Sequence, residues 1–183
     1  MATSHQTYTV KLAGLTRELR LFEVAPGVRI AIFNMLGDTE IVQAVSKELA
    51  KRLPKEAQVL VTAEAKSIPL AYALSVETGL PYVILRKSYK PYMGEALSAE
   101  TLSITTGEKQ TLYLDEKDRA LVTGKSVVIV DDVISTGSTL QGMQMIMEKA
   151  EAKVVAQTAV FTEGERAKWK NIIALGHLPV FTD

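Results

Sequence analysis

The chain has 183 residues, nearly half of them apolar, and equal numbers of acidic and basic side chains leave it without net charge. This size and composition indicate one globular α/β domain, and the neutral balance excludes a generally basic surface for nucleic acid. Cysteine is absent and histidine occurs only at His5 and His177, which excludes disulfides and disfavours a zinc site. The first residues lack a secretion-signal pattern and no apolar run has membrane-spanning length, so a cytoplasmic protein is expected.

Strand and helix patterns alternate along the chain. Short apolar runs predict strands at residues 28–33, 59–61, 82–85, 127–130 and 154–161. Apolar residues at helical spacing predict three helices, one after Asp38 that Pro54 stops, one from Ile68 to Gly79, and one ending near Ala150. This alternation predicts a parallel sheet flanked by helices.

Residues 88–114 differ from the rest of the chain because they are polar and rich in Tyr and Thr. Alternation over 101–104 and 110–114, on either side of Gly107-Glu108, predicts a hairpin that projects from the sheet. Long excursions between core strands are commonly lids, and a plain surface hairpin is the alternative.

The most informative segment is residues 127–140, where an apolar run leads to Asp131 and Asp132 and then to a hydroxyl-rich loop around Gly137. A helix follows, and the N–H groups at its start have no intrahelical partner, so an anion is favoured there. Paired carboxylates suit a ligand that also carries sugar hydroxyls or Mg²⁺. An ordinary strand–turn–helix with a polar cap is the alternative interpretation.

Two further strand exits are expected at the same edge, because ligands of open α/β sheets bind beyond the carboxyl ends of the strands. Small residues follow the strand at 59–61 and lead to Lys66 and Ser67 at a predicted helix start. Arg86 and Lys87 follow the strand at 82–85, and two cations there suit a diphosphate. The alternative is that these basic side chains are merely solvated.

Residues 127–139 resemble the phosphoribosyl pyrophosphate (PRPP) binding motif of type I phosphoribosyltransferases. The resemblance implies that Asp131 and Asp132 are catalytic residues that hold the ribose hydroxyls, directly or through Mg²⁺ and water. It also implies that the loop residues bind the 5-phosphate of PRPP: Ser135, Thr136, Gly137, Ser138 and Thr139.

Residues 62–69 resemble the pyrophosphate loop of the same family, and Arg86-Lys87 is similar to a pair that contacts PRPP in adenine and xanthine phosphoribosyltransferases. The resemblance implies PRPP contacts for Ala65, Lys66, Arg86 and Lys87, with Lys66 also counted as catalytic. It further implies a non-proline cis peptide bond near Ala65-Lys66.

Residues 27–34 resemble the hood that these enzymes build over the base. Phe33 is the candidate to stack on a purine, Asn34 to hydrogen-bond its edge, and Phe161 to border it from the last core strand. A simple core position is the alternative for Phe33.

The resemblance covers residues 26–163 and implies a single domain, with a hood at about 1–37, a core at about 38–163 and a hairpin lid at about 88–114. The implied activity is purine salvage. A purine base, adenine first and xanthine or another 6-oxopurine next, reacts with PRPP to give a nucleoside 5′-monophosphate and pyrophosphate. Mg²⁺ is the implied cofactor and a homodimer the implied assembly, with no nucleic acid or membrane partner.

One loop departs from the pattern of the adenine enzymes. Thr105-Thr106-Gly107 stands where those enzymes carry Glu-Tyr-Gly, so the carboxylate and the phenol are missing. Two alternatives therefore stay open: a non-catalytic PRPP-sensing regulator of the purine-repressor type, and a transferase for another base such as orotate or uracil.

Overall fold

A computed structural model describes residues 6–102 and 109–182. Five parallel strands form the central sheet: β4 (Val59–Ala63), β5 (Tyr82–Leu85), β8 (Ser126–Ile134), β9 (Lys153–Glu163) and β10 (Ile173–Leu178). Their order in the sheet is β10-β9-β8-β4-β5. The predicted α/β class with a parallel sheet is confirmed.

Among the described residues, four α-helices accompany the sheet: α1 (Thr39–Ala50), α2 (Ile68–Thr78), α3 (Glu116–Val122) and α4 (Ser138–Lys149). The three predicted helices are present, and α1 begins where the Asp38 carboxylate accepts the N–H of Ile41. Helix α3 was not predicted, because seven residues are too few to display a helical period. Over the described ranges, no helix combines the length and the apolar character that a membrane crossing requires.

The central strand β8 is buried on both faces. Val127 and Ile129 pack into the cluster beneath α4, whereas Val128 and Val130 pack into the cluster beneath α1 and α2. A strand covered on both faces needs apolar residues at successive positions, which explains the unbroken apolar run. Each such side chain contributes about 1.5–3 kcal/mol on burial, so the strand that carries the acidic pair is firmly held.

A second, antiparallel sheet, here called the hood sheet, comprises β1 (Thr7–Leu12), β2 (Leu15–Ala25), β3 (Val28–Ile32) and β11 (Val180–Thr182). The strand predicted at 28–33 belongs to this sheet and not to the parallel one. The fifth parallel strand is instead β10, which lies beside β9. Gly176 makes this pairing possible, because a Cβ there would lie 2.6 Å from Cε1 of Phe161.

Arg17 fastens the hood sheet to α1. Its Nε lies 2.7 Å from Asp38 Oδ2, and its Nη2 lies 3.0 Å from Asp38 Oδ1 and 2.7 Å from Glu40 Oε2. The guanidinium holds the pKa of Asp38 below its usual range. A fork of this kind fixes orientation as well as distance, so the hood sheet has a defined position over the helix.

The predicted hairpin is present as β6 (Leu97–Leu102) and β7 (Lys109–Leu114), which pair antiparallel. It does not project freely, however, because one face packs on α4. The inward side chains of that face are buried: Ala99, Thr101, Leu112 and Leu114. Gly142 of α4 allows the close approach, since a Cβ there would lie 3.1 Å from Leu112 Cδ1. The predicted turn at Gly107-Glu108 and the Thr105-Thr106-Gly107 loop lie outside the described residues.

Candidate functional site

The acidic pair lies within β8, not at its end as predicted. Strand β4 pairs with β8 only as far as Thr62 opposite Val130, whereas β9 continues to pair with β8 up to Ile134. Continued pairing with β9 therefore extends β8 beyond the acids. Asp131 and Asp132 emerge where β4 leaves the sheet, which brings them beside the loop that follows β4.

Buried hydroxyl groups join this loop to β8. The Thr62 hydroxyl donates to the carbonyl oxygen of Val130 at 2.8 Å and lies 2.8 Å from Ser67 Oγ. Ser67 is buried at the start of α2, and its hydroxyl donates to the carbonyl oxygen of Ala63 at 3.2 Å. The loop of residues 64–67 is thus held against β8 by polar contacts that water does not reach.

The surroundings of Asp131 disfavour its ionised form. Asp132 is buried, and its N–H donates to Asp131 Oδ1 at 2.9 Å. Burial, followed by the charge of Asp132, raises the pKa of Asp131 above its usual range. Hydroxyl donors or a divalent cation at this point would stabilise the ionised pair.

The donor set fits Mg²⁺ that arrives with a phosphorylated ligand. Within residues 6–102 and 109–182, no three acidic or histidine side chains form a group able to hold a metal ion alone. Mg²⁺ in phosphate sites commonly takes one or two protein carboxylates and completes its shell with water and phosphate oxygens. Asp131 and Asp132 are the two carboxylates that would hold Mg²⁺ in this way.

The loop of residues 135–139 leads from β8 into α4. Gly137 has φ +84° and caps the helix without a side-chain hydrogen bond, so it provides no acceptor for the first-turn N–H groups. The hydroxyl oxygens of Thr136 and Ser138 lie 3.2 Å apart. Thr139 Oγ1 donates to Gln110 Oε1 of β7 at 3.3 Å, which ties the hairpin to the loop. The arrangement suits a phosphate group.

One of the predicted cations, Arg86, lies against a carboxylate that the sequence interpretation did not include. Lys66 is exposed, as is Ala65, while Arg86 forms an ion pair with Glu64. The other oxygen of Glu64 accepts the N–H of Lys87 at 2.8 Å. The non-proline cis peptide bond joins Glu64 to Ala65, one bond earlier than the resemblance implied.

Of the candidate base-binding residues, Phe161 lies on β9 and pairs with Val133, the residue after Asp132. Phe33 and Phe161 pack edge to face at 4.9 Å between centroids, and they expose only 5% and 2% of their surfaces. Phe33 therefore packs in the core, but it also lines, together with Asn34, a cavity of about 540 Å³ in the hood sheet. The described lining of this cavity includes no residue assigned to PRPP, and the contacts of Phe33 and Asn34 with a base stay predictions.

This sequence matches a phosphoribosyl transferase domain over residues 34–175. The chain belongs to the phosphoribosyl transferase family. A hypoxanthine/guanine phosphoribosyltransferase of Methanococcus voltae is 35% identical to this phosphoribosyl transferase over 150 residues, covering 81% of the chain and 73% of that relative. The purine biosynthesis transcriptional repressor PurR of Bacillus subtilis is 32% identical over 143 residues, covering 78% of the chain and 49% of the repressor.

Solved structures resemble this phosphoribosyl transferase in fold. Adenine phosphoribosyltransferase from Thermoanaerobacter pseudethanolicus superposes with a TM-score of 0.71 at 24% identity, covering 87% of this chain and 95% of that one. The Saccharomyces cerevisiae enzyme gives a TM-score of 0.68 at 22% identity, covering 85% and 92%. At these identities the likeness shows the shared fold.

Two residues near the site were missed by sequence reasoning. Glu64 could have been found, because it is the only acid among small residues at a strand exit that neighbours Arg86-Lys87. Trp169 lies in a short 3-10 helix at Arg166–Trp169 and contacts Gly137 across the fold. No local pattern in the sequence signals that contact.

Proposed function

We propose that this phosphoribosyl transferase converts a purine base and PRPP to a nucleoside 5′-monophosphate and pyrophosphate, as a step of purine salvage in the cytoplasm. The observation that carries the proposal is the adjacency of the Asp131-Asp132 pair in β8 and the loop of residues 135–139 that caps α4. One pocket can thereby hold the diol and the 5-phosphate of a single ribose.

The base is a purine because the named activities of the relatives concern purines. Apart from the repressor PurR, the sequence relatives at 31–36% identity are named for hypoxanthine and guanine, and the adenine enzymes resemble the chain at 24% identity or less. Hypoxanthine and guanine therefore join adenine, the base that the sequence interpretation put first, as the substrates to test.

In this mechanism the chain positions PRPP and stabilises charge. The loop of residues 135–139 holds the 5-phosphate, and Asp131 and Asp132 orient the ribose hydroxyls. Lys66, Arg86 and Lys87 stabilise the diphosphate, which leaves with the electron pair of its bond to C1. The ribosyl group gains oxocarbenium character, a lone pair of the base nitrogen forms the new bond to C1, and the displaced proton passes to solvent.

Mg²⁺ held by Asp131 and Asp132 would neutralise diphosphate charge and orient the sugar. The hairpin of β6 and β7, one face of which packs on α4, would serve as the lid over the reacting atoms. The whole chain acts as one domain, with the hood sheet above the site.

The proposal is tested by pyrophosphate release. Protein, Mg²⁺ and PRPP are mixed with adenine, hypoxanthine, guanine or xanthine in turn, and pyrophosphate is measured by a coupled phosphate assay. Release that depends on one or more purines supports the proposal, and the purine with the highest kcat/KM is its substrate. Bound PRPP without release for any purine, orotate or uracil would contradict it.

A PRPP-binding regulator is the second candidate. The similarity to the repressor PurR over 78% of this chain favours it, as does the Thr105-Thr106-Gly107 departure in the sequence. Saturable PRPP binding without turnover would select this function.

A homodimer is the proposed assembly. Two large side chains on α2 support it, since Tyr72 is 58% and Val76 is 65% exposed beside the α1–α2 groove. Light scattering on the eluting protein tests this, and a monomer at micromolar concentration would contradict it.

A further inference from the structure

Trp169 packs directly against the loop that caps α4. A Cβ on Gly137 would lie 2.8 Å from Cη2 and 3.4 Å from Cζ3 of Trp169, so the indole fills the space that any side chain at position 137 would need. Gly137 also has φ +84°, a conformation that L residues rarely adopt. Position 137 thus requires glycine for two independent reasons: the backbone has a positive φ, and the indole of Trp169 fills the space of a side chain.

The indole is held by the central sheet. Its Nε1 donates to the carbonyl oxygen of Glu163, the last residue of β9, at 2.9 Å. The ring is half-buried against the core cluster under α4 and the hairpin. Trp169 therefore connects the end of β9 to Gly137. The loop of residues 135–139 cannot move towards the indole unless the indole moves too.

We propose that Trp169 is a positioning residue for the 5-phosphate of PRPP. It braces Gly137 so that the first-turn N–H groups of α4 stay directed at the phosphate. This inference rests on the proposed function, because it assumes that the loop of residues 135–139 binds a sugar phosphate. It assigns Trp169 no contact with the base.

The first test compares Trp169→Phe with the wild-type protein. Phenylalanine keeps an aromatic ring in the core but removes the ring atoms that reach Gly137 and the Nε1 hydrogen bond. We expect affinity for ribose 5-phosphate to fall about tenfold, since small misplacement of a binding group has effects of this size. KM for PRPP should rise similarly, while KM for the purine stays within about twofold.

Ile172→Ala is the matched control. Ile172 follows Trp169 closely, packs on the same core cluster and lies outside the proposed site. It should lower the melting temperature without changing affinity for ribose 5-phosphate. Two results would overturn the proposed role of Trp169: an equal loss of ribose 5-phosphate affinity in both variants, or wild-type affinity in Trp169→Phe. If the wild-type protein did not bind ribose 5-phosphate, the proposed function would be contradicted, and the positioning role of Trp169 would be contradicted as well.

A second test uses the close approach itself. Gly137→Ala should lower the affinity for ribose 5-phosphate more in the wild-type protein than in the Trp169→Phe variant. In both backgrounds the alanine has an unfavourable φ, but only in the wild-type background does its Cβ also clash with the indole. Strictly additive effects on ribose 5-phosphate affinity would overturn the inference.

A third test needs no variant. Trp169 is the only tryptophan of the chain, so its emission reports on this loop alone. Titration with ribose 5-phosphate should change the fluorescence with the same Kd that calorimetry gives. Binding that leaves the emission unchanged would overturn the inference even if Trp169→Phe failed to fold.

Discussion

Glu64 and Arg86, at the exits of the neighbouring strands β4 and β5, form an ion pair beside the acidic residues of β8. The pair is half-buried, and Glu64 is the main cause that raises the pKa of Arg86. The same carboxylate accepts the N–H of Lys87 at 2.8 Å. A diphosphate oxygen would use these same donors, so Glu64 would compete with a diphosphate at the proposed site.

Removing this carboxylate should therefore strengthen diphosphate binding. Glu64→Gln keeps the size of the side chain and abolishes its charge, so an incoming diphosphate no longer competes with an internal anion. We expect the Kd for inorganic pyrophosphate with Mg²⁺ to fall about threefold to tenfold, a change of up to about 1.4 kcal/mol. Isothermal titration calorimetry measures it.

Glu48→Gln is the control for net charge. Glu48 pairs with Lys51 on the exposed face of α1, so its loss changes the total charge equally without touching the site. Its Kd should match the wild-type value. Weaker pyrophosphate binding by Glu64→Gln would mean that Glu64 holds Arg86 in place for the ligand and does not compete with it.

Stability without ligand should depend on pH through Asp131. Its pKa is raised in the folded protein, mainly by burial, so folding favours the protonated carboxyl. The ionised group thus destabilises the fold above the folded pKa, and this cost disappears as pH falls towards the ordinary value for aspartate.

Asp131→Asn removes this cost. At about pH 8 the variant should be more stable than the wild type by at least about 1 kcal/mol. That difference corresponds to a rise of about 2–4 °C in Tm. The difference in stability between the variant and the wild type should become smaller as the pH is lowered towards the range in which free aspartate titrates. Thermal melts from mildly alkaline to acidic buffer check this, and a gap that is independent of pH would contradict it.

The same acids should be needed for turnover. Asp131→Asn combined with Asp132→Asn should lower kcat/KM for PRPP by more than about tenfold, because the ribose loses both of its carboxylate acceptors. Far-ultraviolet circular dichroism should stay unchanged, since β8 is held by its apolar neighbours. Near-normal rates in a folded double variant would show that the acids have another role.

The parallel sheet could be predicted because its strands are buried on both faces. A run such as Val127 to Val130 is apolar at every position, which few other structures require. The hood strands β1 and β2 were missed, although Val10, Leu12 and Leu19 are buried at alternating positions around the Ala13-Gly14 turn. Such alternation is typical of a half-buried strand, so these two strands could have been predicted.

The candidate site could be predicted only where its residues follow one another in the sequence. The acidic pair and the loop after it adjoin in the chain, so their order alone suggested the chemistry. The extension of β8 past Asp132 depends on pairing with β9, and the contact of Trp169 with Gly137 depends on packing between distant segments. Neither leaves a local signal. The contact between Phe33 and Phe161 likewise joins distant segments of the chain.

Calorimetric titration of the unliganded protein with PRPP in the presence of Mg²⁺ tests the account most directly. We expect saturable binding of one PRPP per chain that weakens sharply when Mg²⁺ is chelated or when both acids are replaced by Asn. Absence of any heat of binding for PRPP with Mg²⁺, from protein that is folded by circular dichroism, would contradict the account.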